Sequence, residues 1–132
     1  MLKVQNAAAR LILGAPRHQH CTPLLQQLHW LLISERIKYK TACMCHNSIT
    51  GSAPSYLSEL MQLDSPSRYL CSSSDTSILK LRRFYRKTHS FHSFSCFCPH
   101  IWNNLPQNVR HSNSLPSFKN KPKTFLFSEH FN

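Results

Sequence analysis

The chain has 132 residues, the length of one small domain or of a fragment of a larger one. Its 16 Lys and Arg against 5 Asp and Glu give a formal charge of +11 spread over the whole sequence, which favours polyanionic partners and nucleic acid in particular. Only two glycines are present, which excludes glycine-rich phosphate-binding loops, and the five carboxylates are too scattered to indicate a paired acidic site.

The first predicted element is a helix at residues 2–13. Five apolar side chains recur near helical spacing and are expected to form its buried face: Leu2, Val4, Ala8, Leu11 and Ile12. Gly14 and Pro16 follow, and such a pair commonly ends a helix. The sequence therefore predicts a short amphipathic helix at its start.

Three further helices are predicted in the first half of the chain. Thr22, which a proline follows, is expected to cap a helix from residue 24 to about residue 32. Ser34 is expected to cap a longer helix that ends just before Gly51. A brief helix is expected at residues 56–61.

The composition changes between the two halves of the chain. Residues 64–77 are rich in Ser, Pro and Asp, which is typical of a linker. We expect this linker to separate a helical N-terminal half, residues 1–63, from a basic and aromatic-rich C-terminal half, residues 78–132.

The second half is less regular than the first. Residues 78–86 predict a short strand, and residues 91–105 predict a buried helical turn. Ser114 is expected to cap a C-terminal helix with Pro122 in its middle, where a proline costs about 3 kcal/mol by removing a hydrogen bond.

The fold class predicted from these elements is mainly α. We expect a small irregular helical domain or fragment with at most a short β element around residues 78–86. Trp30 and Trp102 lie in Leu- and Phe-rich surroundings and are expected to anchor the core, because large aromatic side chains there supply buried area.

The sequence gives no sign of a secretory or membrane-spanning segment. The apolar stretch at the start is interrupted by Gln5, Asn6 and Arg10, and no run reaches the ~18 apolar residues that a span requires. We therefore expect an intracellular protein, cytoplasmic or nuclear and not secreted, with no membrane partner and with its six cysteines reduced.

The segment ILKLRRFYRK at residues 78–87, called the basic segment below, is the strongest candidate for a functional site. Lys and Arg can neutralise phosphates and release counterions, while aromatic rings can stack on bases. The residues predicted to bind nucleic acid are Lys80, Arg82, Arg83, Phe84, Tyr85, Arg86 and Lys87. The alternative is an edge strand whose charges only protect it from aggregation.

Three lysines near the C-terminus, at 119, 121 and 123, do not share one helical face and are expected to be solvated charges.

The stretch SFSCFCPHIWNNLP and its surroundings are rich in potential zinc ligands. The candidates are His92, Cys96, Cys98 and His100. Their Cys-x-Cys spacing departs from the Cys-x₂₋₄-Cys spacing of most structural zinc sites, so we expect no metal and no cofactor, and we interpret the cysteines as buried or incidental. A small zinc-binding interaction module that uses the Cys and His residues remains the alternative function.

Six strings occur along the chain in the following order: KVQNAAARLI, TPLLQQLHWL with RIKYK after it, APSYLSEL, PSRYL with SSSD after it, IWNNLP, and SLPSFKNKPKTFLF. In this order and spacing the chain resembles the extreme C-terminal region of the reverse-transcriptase polyprotein of non-LTR retrotransposons, the LINE-type elements of the jockey and chicken-repeat kind. The resemblance covers Leu2 to Phe131.

The resemblance implies a non-catalytic piece of an RNA-directed DNA polymerase. In that family the endonuclease and the polymerase palm, with its Tyr-x-Asp-Asp turn, lie upstream of this region. Polymerases need carboxylates that hold two cations about 4 Å apart, and the two aspartates here, Asp64 and Asp75, both lie in the predicted linker. The implied partners are RNA or DNA, bound with low specificity, and the missing polymerase domains in an intact element.

Several positions depart from the family pattern. Leu32 stands where relatives carry proline, CPHIWN replaces Gly-Pro-Arg-Leu-Trp-Asn, and Pro122 stands at a leucine. The change of arginine to histidine at His100 is the product expected when a CpG-containing codon is deaminated. These departures are typical of a degenerate copy of an element.

Overall fold

The computed structural model describes residues 2–64, 77–82, 93–112 and 114–131. Those ranges contain seven helices, which confirms the prediction of a mainly α fold. They are α1 (Leu2–Leu13), α2 (Cys21–Gln27), α3 (Ile33–Ile49), α4 (Ser55–Ser58), α5 (Phe94–Asn104), α6 (Gln107–Arg110) and α7 (Leu115–Phe131). Within the same ranges, β pairing consists of one isolated antiparallel bridge between Leu63 and Leu79.

The contacts of the chain fall into two compact units. The first is Met1–Tyr39 together with Lys123–Asn132, and the second is Lys40–Pro122. The predicted linker at residues 64–77 lies almost wholly outside the described residues, so the predicted division of the chain stays a prediction.

The bounds of α1 agree with the prediction, but the predicted buried face is wrong. Val4 and Leu11 are 73% and 83% exposed, whereas Gln5 and Ala9 are buried. Small Ala9 lets α1 approach α2 closely, and the Gln5 side chain satisfies a buried backbone group by donating from Nε2 to the carbonyl of Leu31 at 2.8 Å. Close approach and hydrogen bonding therefore decide the buried face, and the apolar spacing does not.

A pair of substitutions in α1 tests this correction. We expect Leu11→Gln to change the free energy of unfolding by no more than about 0.5 kcal/mol, because the side chain is exposed. Ala9→Gln in the same helix is expected to cost about 1–3 kcal/mol, because Ala9 is fully buried and the site has no room for a larger side chain. Urea denaturation followed by circular dichroism measures both; equal effects would contradict the observed orientation.

The helix α2 begins and ends earlier than predicted. Its N-cap is His20 and not Thr22, since His20 Nδ1 accepts a hydrogen bond from the N–H of Thr22 at 3.4 Å, and its last turn ends within the LHWLL stretch. His29 has a φ of 51°, in the left-handed region, and its N–H donates to the carbonyl of Gln26 at 3.0 Å. The N–H of Trp30 donates to the carbonyl of Leu25 at 2.9 Å, which completes a Schellman motif. Trp30 is half-buried and packs against the cluster that contains Leu25. It therefore contributes to the core of the first unit from its edge and is not one of the buried core residues.

The later helices follow the predicted order with two differences. The helix α3 already begins at Ile33, so Ser34 lies in its first turn and is not the cap that was predicted, and the short helix α6 was not predicted. α3 is followed by Gly51, whose φ of 73° suits a helix end. α7 follows Ser114, whose Oγ accepts a hydrogen bond from the N–H of Ser117 at 3.4 Å. The helix α7 continues through Pro122, whose ring is fully buried; this burial offsets part of the cost of the missing hydrogen bond.

The predicted strand at 78–86 is not observed in its described part, residues 78–82. Leu79 alone forms an isolated bridge there, and residues 83–86 lie outside the described residues. No described helix has the length and apolar character needed to cross a membrane.

Candidate nucleic-acid interface

Residues 77–80, called the anchored segment below, begin the candidate interface and are held on two sides. On the first side the segment pairs with residues that follow α4. The N–H of Lys80 donates to the carbonyl of Gln62 at 2.8 Å, and the N–H of Asp64 donates to the carbonyl of Ile78, also at 2.8 Å. These bonds flank the isolated β-bridge and fix the backbone direction of the segment.

On the second side the anchored segment is held by two side chains of α5. The Asn103 amide binds both backbone groups of Leu79: Nδ2 donates to the carbonyl at 2.8 Å, and Oδ1 accepts from the N–H at 2.9 Å. The Trp102 indole Nε1 donates to the carbonyl of Ser77 at 2.7 Å. The Leu79 side chain is 1% exposed, so its backbone would be left unsatisfied without the asparagine.

Aromatic packing in the second unit holds Trp102 in place. The ring stacks against Phe118 with a centroid distance of 5.7 Å, and Phe118 stacks on the imidazole of His46 at 4.4 Å. His46 Nε2 lies 3.1 Å from the carbonyl oxygen of Ser112, which can only accept, so the imidazole carries its hydrogen on Nε2. The expectation that Trp102 anchors the core is confirmed, since the ring is 2% exposed.

The basic segment becomes exposed from Lys80 onward. Lys80, Leu81 and Arg82 are all exposed. Within the described parts of the chain the ion pair formed is Lys38 with Glu35, at 3.0 Å, and neither Lys80 nor Arg82 is neutralised by a carboxylate. The remaining predicted binding residues, Arg83, Phe84, Tyr85, Arg86 and Lys87, lie outside the described residues.

The three lysines of α7 differ from the basic segment in their setting. All are exposed, and Lys121 Nζ donates to the carbonyl of Asn108 at 3.0 Å. Neighbouring members of the set are two residues apart on a helix, so their side chains diverge by about 200°.

The candidate zinc ligands that the structure describes do not converge. Cys96 and Cys98 lie on α5, where two residues correspond to about 200° of rotation and so to opposite faces. Cys96 Sγ accepts a hydrogen bond from Ser93 Oγ at 3.1 Å, and His100 is exposed. His92 lies outside the described residues, and among the described ones no three His, Cys, Asp or Glu side chains are grouped for metal binding.

The neighbour of Cys98 is the thiol of Cys45 on α3, whereas that of Cys96 is the hydroxyl of Ser93. A hydrogen bond with Cys98 and burial raise the pKa of the Cys45 thiol far above its ordinary range. Cys45 is therefore protonated at neutral pH, and a protonated thiol is a poor nucleophile and metal ligand.

No protein-family model, curated protein or solved structure matches the chain. The resemblance to the retrotransposon polyprotein therefore depends on the six strings alone. One of them, IWNNLP, contains both Trp102 and Asn103. The sequence indicated a core role for the tryptophan, whereas the role of Asn103 in binding a distant backbone carried no signal in the sequence.

Proposed function

We propose that this chain is a non-catalytic C-terminal fragment of a non-LTR retrotransposon reverse transcriptase and that it binds single-stranded RNA or DNA with low specificity through the basic segment. The observation that carries the proposal is the exposure of Lys80 and Arg82, without carboxylate partners among the described residues, directly after a backbone fixed by Trp102 and Asn103.

The physical basis of binding would be phosphate neutralisation. Each cation that contacts a phosphate releases condensed counterions, so affinity falls as salt rises, and this term is independent of base sequence. The fixed backbone of the anchored segment lowers the entropy lost when the first cations of the basic segment meet a strand. The aromatic pair Phe84 and Tyr85 would add base stacking.

The described acidic side chains lie in different settings. Glu35 is buried and engaged with Lys38, while Glu59, Asp64 and Glu129 are exposed in different parts of the chain. No two of these described carboxylates are grouped with a third ligand, as a two-metal phosphoryl-transfer site would require.

A double substitution tests the proposed interface. We expect Lys80→Gln with Arg82→Gln to weaken binding to a fluorescent single-stranded oligonucleotide about 10-fold at 0.1 M salt and to reduce the slope of log affinity against log salt by about 1.4, which is the loss of two phosphate contacts. Fluorescence anisotropy over a salt series measures both quantities.

The matched control removes the same charge from α7 with Lys119→Gln and Lys123→Gln, both at exposed positions. The control is expected to retain most of the affinity. Equal losses in the two double variants would show that net charge alone attracts nucleic acid and would contradict a defined interface. Affinity that does not depend on salt would contradict the proposed function itself.

A further inference from the structure

A cavity in the first unit lies between α1 and the residues that lead into α2 and follow it. Its volume is about 370 Å³, which falls within the range of about 300–1,000 Å³ that small-molecule sites occupy. The residues that line it all lie between Leu2 and Leu32. The cavity is therefore separate in sequence from the basic segment.

One end of the cavity is basic. Arg10 lines it, and Nη2 of Arg10 donates to the carbonyl of Gln19 at 3.2 Å, which holds the guanidinium beside residues 18–20. Nε of Arg10 is buried and has no acceptor among the described residues, where the ion pair formed is Lys38 with Glu35. A buried donor without an acceptor is costly, so an oxyanion bound here would supply the missing partner.

The imidazole of His20 adds a donor at the same end. His20 Nδ1 accepts a hydrogen bond from the N–H of Thr22 at 3.4 Å, so the ring carries its hydrogen on Nε2. His20 is exposed and lines the cavity. One guanidinium and one imidazole N–H present a single positive charge with several donors, which suits a carboxylate.

The other end of the cavity is apolar. Leu2 lies eight residues before Arg10 on α1, which is about 12 Å along a helix. Leu32 lies at the same end as Leu2, because the carbonyl of the residue before it accepts a hydrogen bond from Gln5 near the start of α1. Leu25 of α2 adds a further apolar wall. A ligand that fits both ends has a charged head and an apolar tail.

We propose that this cavity binds a small monocarboxylate with an unbranched apolar tail, with its carboxylate at Arg10 and His20 and its tail along the leucines. One guanidinium can donate two parallel hydrogen bonds to a carboxylate. Because Nε of Arg10 is buried, binding requires a small rotation of that side chain toward the cavity. Each methylene that the leucines bury strengthens binding about 4-fold, which an anion without a tail does not gain.

The test is titration of the full chain with octanoate, measured by isothermal titration calorimetry and by amide chemical shifts in ¹H–¹⁵N NMR spectra. We expect saturable binding at one site, with the largest shifts at Asn6 and at residues 18–22. Octan-1-ol lacks the charge and is expected to bind at least about 10-fold more weakly. Hexanoate lacks two methylenes and is expected to bind about 15-fold more weakly than octanoate.

Matched variants locate the two ends of the ligand. Arg10→Gln is expected to weaken octanoate binding about 10-fold or more, whereas Arg17→Gln removes the same charge from an exposed residue outside the cavity lining and should change it less than about 2-fold. Leu2→Gln is expected to weaken binding about 4-fold. Leu11→Gln alters an exposed leucine of α1 outside the lining and should have no effect.

The unaltered chain gives a decisive result even if a variant does not fold, because octanoate and octan-1-ol are compared on the same protein. Equal affinity for these two compounds, or no saturable binding of octanoate below about 10 mM, would overturn the proposal. Equal effects of Arg10→Gln and Arg17→Gln would overturn it as well, since net charge alone would then attract the carboxylate.

Discussion

Replacing Trp102 with alanine is expected to lower the free energy of unfolding by about 3–5 kcal/mol. The ring is 2% exposed and stacks on Phe118, so its removal leaves a cavity in the second unit. The indole N–H bond to Ser77 is lost as well, which releases one end of the anchored segment. Since small domains are stable by about 5–15 kcal/mol, this one substitution removes a large share of the stability.

Urea denaturation followed by far-UV circular dichroism measures the effect. Trp102→Phe separates the two contributions, because phenylalanine keeps most of the ring volume and loses the donor; we expect a cost of about 1–2 kcal/mol for it. Tyr56→Ala is the control, since that ring is 65% exposed and its loss should change the stability by less than about 0.5 kcal/mol. A loss below about 1 kcal/mol for Trp102→Ala would contradict the buried, stacked position of the ring.

The second large effect is expected for Asn103→Leu, at about 2–4 kcal/mol. Leucine has the same number of side-chain heavy atoms and the same branch point as asparagine, but it leaves both the N–H and the carbonyl of Leu79 without their partner. Each unsatisfied buried polar group costs about 1–3 kcal/mol, and part of this cost is offset by the gain in apolar surface.

The neighbouring residue supplies the control for this substitution. Asn104 lies in the same helix and is exposed, so Asn104→Leu should change the stability by less than about 0.5 kcal/mol. Hydrogen exchange at the Leu79 amide gives a second readout, because the proton is donated to Asn103 Oδ1 and should exchange faster in Asn103→Leu alone. Equal behaviour of the two variants would show that the amide of Asn103 does not hold the anchored segment.

Local signals in the sequence predicted the end of α3 and the start of α7, whereas the caps predicted at Thr22 and Ser34 were wrong. Gly51 and Ser114 mark a helix end and a helix start as expected, because a left-handed φ and an N-terminal cap are properties of a few adjacent residues. At α2 the left-handed position is occupied by His29 and not by glycine, so the usual sequence signal for the end of a helix was missing there.

Features that depend on contacts between residues far apart in the sequence were not predicted from the sequence. The exposed apolar face of α1 and the buried Gln5 follow from packing against α2, which the spacing of apolar residues does not encode. The Cys-x-Cys spacing at 96 and 98 argued against a zinc site, and in the observed helix the two side chains diverge by about 200°. The contact of Cys98 with Cys45 depends on the tertiary fold alone.

The charge of the candidate interface was predicted from composition, but the hydrogen bonds that hold its backbone were not predicted. The charge of Lys80 and Arg82 is evident from the sequence, because any run of cations stands out against five acidic residues. The hydrogen bonds from Trp102 and Asn103 to the anchored segment join residues more than twenty positions apart, and no periodic pattern reports such a pairing.

The contacts that hold the anchored segment are made to backbone atoms: the carbonyl of Ser77 and the N–H and carbonyl of Leu79. Substitution of the exposed side chains at Lys80 and Arg82 therefore leaves these hydrogen bonds in place. The surface charge at these two positions can therefore be changed without a change in the folding of the second unit. Variants that lose these cations one by one are therefore expected to remain folded.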